Sequence, residues 1–226
     1  MLFIDLDGTL LDVTKRHYAT YVEVLGMPDI RGVPIPLKEY WGLRIENKPV
    51  NEILKRSRLF PPKYKTFIER FEERLETPEM LGLDALRTGT ETALGKYYTK
   101  TPIVLVTQRR DGEALESQLA SLSLTKYFVT VLSGAPARLR RADPDQRWKH
   151  KVQLIKERYR LPPTEAVYIG DTETDVKVAR HFGWEVYLVE NGHRKKELQM
   201  KADPDRIVPD LPATLKFLLP GGRWQR

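Results

Sequence analysis

The chain has 226 residues, 41% of them hydrophobic and 31% charged, with 38 Lys+Arg against 31 Asp+Glu for a net charge of +7. This suits one core domain with an insertion rather than two full domains, and a basic surface that favours anionic partners. The lack of cysteine excludes disulfides and thiolate metal sites. No apolar run of about 18 residues marks a membrane span, and the opening residues lack the basic stretch of a signal peptide. Together these point to the cytoplasm.

In chain order, the apolar run 2–6 reads as a short buried strand closed by Gly8. Residues 14–25 follow a helical period, with Tyr18, Tyr21, Val22 and Leu25 on one face and Gly26 and Pro28 as stop signals. Residues 32–37 read as a loop, and 48–58 and 62–76 as helices with a proline near each start. From residue 101 the pattern alternates. Strands are expected at 101–107, 127–134, 165–171 and 184–192, with helices at 111–124, 150–160, 174–183 and 211–220. Strands alternating with helices imply an α/β fold, a Rossmann-like parallel sheet covered on both faces. The helical stretch between the first strand and the rest reads as an insertion. The expected division is a core of 1–13 and 86–226 and a helical domain of 14–85.

In such a sheet, functional groups gather beyond the carboxyl ends of the strands. Asp5 and Asp7 follow the first strand, Thr107 the second, and Asp171 and Asp175 a later one, while Lys149 and Lys151 open a helix. Clustered carboxylates repel unless a cation lies among them, and oxygen-only ligands suit a hard ion such as Mg²⁺. A carboxylate beside a lysine and Mg²⁺ can attack phosphorus. A second carboxyl can protonate the leaving alcohol and then deprotonate water. Gly8 permits a sharp turn whose backbone N–H groups can cradle a phosphoryl group.

These residues resemble the motifs of haloacid dehalogenase (HAD) superfamily phosphatases of the capped, phosphoglycolate-phosphatase-like kind. "FIDLDGTLLD" is similar to the first motif, "IVLVT" to the second and "IGDTETD" to the fourth, in the right order and at strand ends. The resemblance implies a Mg²⁺-dependent phosphomonoester hydrolase working through an aspartyl phosphate. It implies Asp5 as nucleophile, Asp7 as general acid/base, Thr107 as a phosphoryl hydrogen-bond donor and a lysine steadying Asp5. Asp5, Asp7 (through its carbonyl), Asp171 and Asp175 would hold the metal, with Asp175 acting through water or on the lysine. Lys151 is preferred to Lys149 because it keeps the motif spacing to Leu154 and Ile155. Asp7 favours phosphate esters over halide displacement or phosphonate cleavage. Alternatives of other kinds are a phosphosugar mutase of the same fold and a non-catalytic phosphate-binding regulatory protein.

The remaining features have plainer readings beside the functional ones. Asp12 reads as a helix cap, and His17 as a surface residue. Gln108 and Arg109 stand where many relatives carry Asn; they border either the phosphate or solvent, and Gln108 is carried as a substrate contact with Gly8 and Thr107. Residues 136–160 hold nine Lys/Arg against three Asp/Glu. A solvated face is favoured there over nucleic-acid binding with Trp148 as a stacking platform. By resemblance the helical insertion is a cap, which favours a small phosphorylated metabolite. Arg44, after Gly42 in an expected loop, could pair with a distal anionic group of that substrate, with Tyr40 and Trp41 in the cap core.

Overall fold

A computed structural model describes residues 1–134 and 144–218. The strands are β1 (Leu2–Ile4), β2 (Leu11–Asp12), β3 (Ala85–Leu86), β4 (Ile103–Val106), β5 (Thr130–Leu132), β6 (Val167–Gly170), β7 (Glu185–Val189) and β8 (Arg206–Val208). The helices are α1 (Thr14–Leu25), α2 (Leu37–Ile45), α3 (Val50–Arg56), α4 (Tyr64–Arg74), α5 (Pro78–Leu81), α6 (Thr90–Tyr97), α7 (Gly112–Ser121), α8 (Pro144–Arg158), α9 (Glu173–Phe182), α10 (Lys196–Lys201) and α11 (Leu211–Leu218). The chain divides into two compact units, Met1–Asp12 with Leu86–Arg226, and Val13–Ala85.

The first unit is the α/β fold the alternation implied. Its six-stranded sheet has the order β5-β4-β1-β6-β7-β8, and every pairing is parallel. β1 lies between β4 and β6, with Ile4 opposite both Leu105 and Ile169. The chain winds from β1 through β4 to β5 and then returns to β1's other side. That reversal is where open sheets place their ligands. All three β1 residues are buried, as a central strand covered on both faces requires. Phe3 stacks on Trp184 at 4.4 Å between ring centres and lies parallel to Tyr168 at 6.4 Å. Burying such rings contributes about 1.5–3 kcal/mol each. β2 and β3 form a separate two-stranded ladder.

The second unit is helical, built around Tyr21, Val24, Leu43, Ile53, Leu54 and Phe67. Tyr21 stacks on Tyr40 at 4.4 Å, and its hydroxyl pairs with Ser57 Oγ at 2.6 Å while accepting from Ile35 N at 2.9 Å. Arg16 Nε meets Asp84 Oδ1 at 2.9 Å with both side chains wholly buried.

Several elements differ from the expectation. Leu37–Ile45 is a helix rather than a loop, because Tyr40 and Leu43, three residues apart, both pack inward. Asp12 lies in β2; α1 starts at Thr14 with Val13 as its N-cap and no side-chain capping bond. The strand expected at 127–134 is only Thr130–Leu132, preceded by a 3-10 turn at Thr125–Tyr127. α6, α10 and β8 carried no expectation. Among the described residues no helix is long and apolar enough to cross a membrane.

Candidate active site

Three neighbouring strands deliver the candidate residues. Asp5 still belongs to the ladder, its N–H donating to Ile169 O at 2.9 Å. Thr107 follows β4, buried, with its N–H donating to Leu132 O at 2.8 Å. Asp171 follows β6, and Asp175 lies one turn inside α9. One carboxylate oxygen each from Asp5, Asp171 and Asp175 falls within 4.8 Å of the others, all three residues being buried.

Lys151 joins this cluster from α8. Its Nζ donates to Asp5 Oδ1 at 2.6 Å and to Asp175 Oδ1 at 2.8 Å, and the residue is 3% exposed. Burial works against its charge, but Asp175 and Asp5 outweigh burial and hold it protonated well above the usual lysine range. Lys149 is exposed, with its Nζ 5.8 Å from the centre of the Trp148 ring. Asp175 divides its oxygens: Oδ2 accepts from the N–H groups of Asp171 (3.2 Å) and Thr172 (3.1 Å) and from Thr172 Oγ1 (3.0 Å). A carboxylate in the third helical position reaching back to the capping N–H fixes the start of α9.

The charges do not balance. Burial, with Asp175 and Asp7 adding to it against Lys151, pushes the Asp5 carboxyl up to about 7. Burial and then the charges of Asp5 and Asp175 push Asp171 well above the carboxylate range, although the His193 N–H and Arg194 pull it back. A buried, all-oxygen set in excess of its cations fits a hard divalent ion, which would let both groups ionise. The packing leaves no slack around these carboxylates. Gly8 has φ +91°, and a Cβ there would overlap the Asp171 carboxylate; one at Gly170 would overlap that of Asp175. The N–H of Gly8 donates to Leu11 O at 2.9 Å, so this glycine supplies space rather than its own donor.

Asp7 turns to a different partner. Arg109 donates from Nε to Asp7 Oδ2 at 2.9 Å and from Nη2 to Oδ1 at 2.7 Å. Gln108 donates to Arg147 O at 2.9 Å and so braces α8. Arg44 belongs to the helical unit, in the last turn of α2; burial pushes the Tyr40 phenol up to about 12 while Arg44 pulls the other way. His17 is half-buried there, its ring 6.2 Å from that of Trp41 and 6.0 Å from that of Phe71. Trp148 packs against the core of the first unit. Of the basic segment 136–160, residues 136–143 lie outside the described residues.

A HAD-hydrolase-like family model matches residues 149–214, which include Lys151, Asp171 and Asp175. Phosphoglycolate phosphatase from Nitrosospira multiformis is 27% identical over 96% of this chain and 94% of its own length. That of Rhodobacter capsulatus is 26% identical over 87% of each. A haloacid dehalogenase-like hydrolase from Streptococcus pneumoniae shares the fold, with TM-score 0.72 and 18% identity over 95% of each chain. The chain is a phosphatase, similar over nearly its whole length to phosphoglycolate phosphatases and in residues 149–214 to HAD-like hydrolases.

This phosphatase braces its acidic cluster with groups that sequence reasoning missed. Gln199, buried in α10, donates to Asp171 O at 3.0 Å and to Val189 O at 2.8 Å, tying the β6 and β7 ends together. His193 N–H donates to Asp171 Oδ2 at 2.5 Å. Arg194 grips both oxygens of Glu173, at 2.8 and 2.9 Å. No local pattern marks these residues, because their partners on the acidic segment 171–173 lie 21 to 28 positions away in the chain. Arg109 carried one signal: a cation two positions after the second motif's threonine.

Proposed function

We propose that this phosphatase hydrolyses the phosphomonoester of a small phosphorylated metabolite through an aspartyl phosphate on Asp5, with Mg²⁺ bound by the Asp5, Asp7 and Asp171 segments. The observation that carries the reading is Lys151 bridging Asp5 and Asp175 inside a buried carboxylate cluster. The bound cation would supply charge neutralisation for the phosphoryl oxygens. Lys151 holds Asp5 oriented and adds a second positive charge, and Thr107 steadies the phosphoryl group. Asp5 forms a bond to phosphorus as the ester P–O bond breaks, and the leaving oxygen takes a proton from Asp7. Water then gives a proton to Asp7 and attacks phosphorus, releasing inorganic phosphate and the Asp5 carboxylate.

Within this reading Asp175 orients Lys151, since both of its oxygens already have protein partners. The names of the relatives make phosphoglycolate the first substrate to try. Val13–Ala85 is proposed as the substrate-reading cap, with Arg44 pairing with the substrate's distal anionic group.

Phosphate release from phosphoglycolate, sugar phosphates, nucleoside monophosphates and p-nitrophenyl phosphate tests the proposal. Activity should need Mg²⁺, vanish with EDTA and vanish in Asp5→Asn. Activity surviving Asp5→Asn refutes the covalent step. An Arg44→Ala variant should raise KM for phosphoglycolate and leave p-nitrophenyl phosphate unchanged; equal effects refute the role of Arg44.

A further inference from the structure

We propose that Arg109 is a positioning residue for proton transfer, presetting the Asp7 carboxylate by holding both of its oxygens before substrate arrives. The inference rests on the reading of Asp7 as the general acid/base. Its own ground is geometric. The two contacts, Nε to Oδ2 at 2.9 Å and Nη2 to Oδ1 at 2.7 Å, are the parallel pair a guanidinium makes with a carboxylate. One hydrogen bond would let the carboxylate rotate about it, whereas two fix both its plane and its side-chain rotamer. Lysine, a point charge, could not impose that plane.

Arg109 is well placed to hold rather than to follow. It is 2% exposed, while the Asp7 side chain keeps 28% of its surface open. The rigid partner is therefore the arginine, and the partly open one is the carboxylate that must meet a substrate. Its backbone is anchored as well: Arg109 O accepts from Gly134 N at 2.8 Å, and two residues earlier Thr107 N donates to Leu132 O at 2.8 Å. The segment after β4 is thus pinned to the segment after β5. A buried guanidinium deprived of Asp7 would lose its bidentate carboxylate partner, so the contact resists being broken.

The reaction uses the same carboxyl twice, first giving a proton to the leaving oxygen and then taking one from water. The guanidinium fork leaves each Asp7 oxygen a second lone pair; protonated there, the carboxyl gives that proton to the leaving oxygen, and as the carboxylate it then takes one from water without a search between the two steps. Arg109 exchanges no proton; it acts only through Asp7.

The test compares Arg109→Met, Arg109→Lys, Asp7→Asn and the Asp7→Asn/Arg109→Met pair, using p-nitrophenyl phosphate and an alkyl phosphate with Mg²⁺. For the alkyl phosphate, Arg109→Met should lower kcat about tenfold or more with KM within about twofold, and Arg109→Lys should recover part of the loss. The loss should be smaller for p-nitrophenyl phosphate, whose phenolate leaves without help from an acid. In the Asp7→Asn background, Arg109→Met should cost nothing further. The double variant also removes both charges of the pair, so it reports even if Arg109→Met alone does not fold. An equal loss on both substrates, or an undiminished loss in the Asp7→Asn background, overturns the proposal while leaving the phosphatase mechanism intact. A wild type whose activity survives Asp7→Asn overturns the role of Asp7 and the proposal together.

Discussion

Replacing Asp5 by asparagine should change how the metal-free protein's stability depends on pH, as well as its activity. In the folded chain the Asp5 carboxyl is raised from 3.8 to about 7 by burial, with Lys151 opposing and Asp175 adding. Between those values the native state holds a proton that the unfolded chain has released, so this group's contribution to stability falls as pH rises. It is fully present below 3.8 and lost through about pH 7. At about 1.4 kcal/mol per pH unit, the loss is ~4 kcal/mol in total, of which about 2–3 kcal/mol falls between pH 5 and pH 8. Asparagine cannot ionise and lacks this loss. Urea unfolding in EDTA, followed by tryptophan fluorescence at both pH values, measures it as the difference between wild type and Asp5→Asn. Excess Mg²⁺ at pH 8 should then stabilise the wild type more than the variant, because only the wild type offers the full donor set. Parallel pH profiles for the two proteins would refute the reasoning, since they would mean Asp5 has the same affinity for protons folded and unfolded.

Lys151→Ala should reduce kcat at least about a hundredfold, while Lys149→Ala, which removes an exposed side chain whose Nζ lies 5.8 Å from the Trp148 ring centre, should stay within about twofold in the same phosphate-release assay. Asp84→Ala leaves the Arg16 charge in the interior of the helical unit, and should cost about 3–5 kcal/mol in urea unfolding. Gly8→Ala should both destabilise the chain, by more than about 1 kcal/mol, and abolish activity, because its Cβ needs the space of the Asp171 carboxylate at a φ that alanine avoids. Circular dichroism melts and the activity assay report the two effects separately.

The sheet and its acidic residues could be read from the chain because both are local. A buried parallel strand is a short unbroken apolar run, and the residue just past it stands at the sheet's carboxyl edge. Lys151 could be separated from Lys149 for a related reason: it lies four residues before Ile155, which is wholly buried, so it shares the inward face of α8. α2 could not be read. Pro34 and Pro36 lead into it, Gly42 interrupts it, and only packing against Tyr21 turns residues 37–45 into a helix. The grip of Arg109 on Asp7 spans 102 positions, and no periodicity encodes a pair so far apart. For the same reason Gln199 and His193 were invisible: they act on Asp171 across the ends of separate strands.

Asp175 has a consequence for how variation in this chain would be interpreted. One of its oxygens starts a helix and the other holds the lysine beside Asp5. A library selected only for folded, soluble protein would still reject most changes at position 175, yet it would accept asparagine at position 5. Intolerance measured that way would rank a bracing residue above the proposed nucleophile. Only a selection for phosphate release would reverse the order.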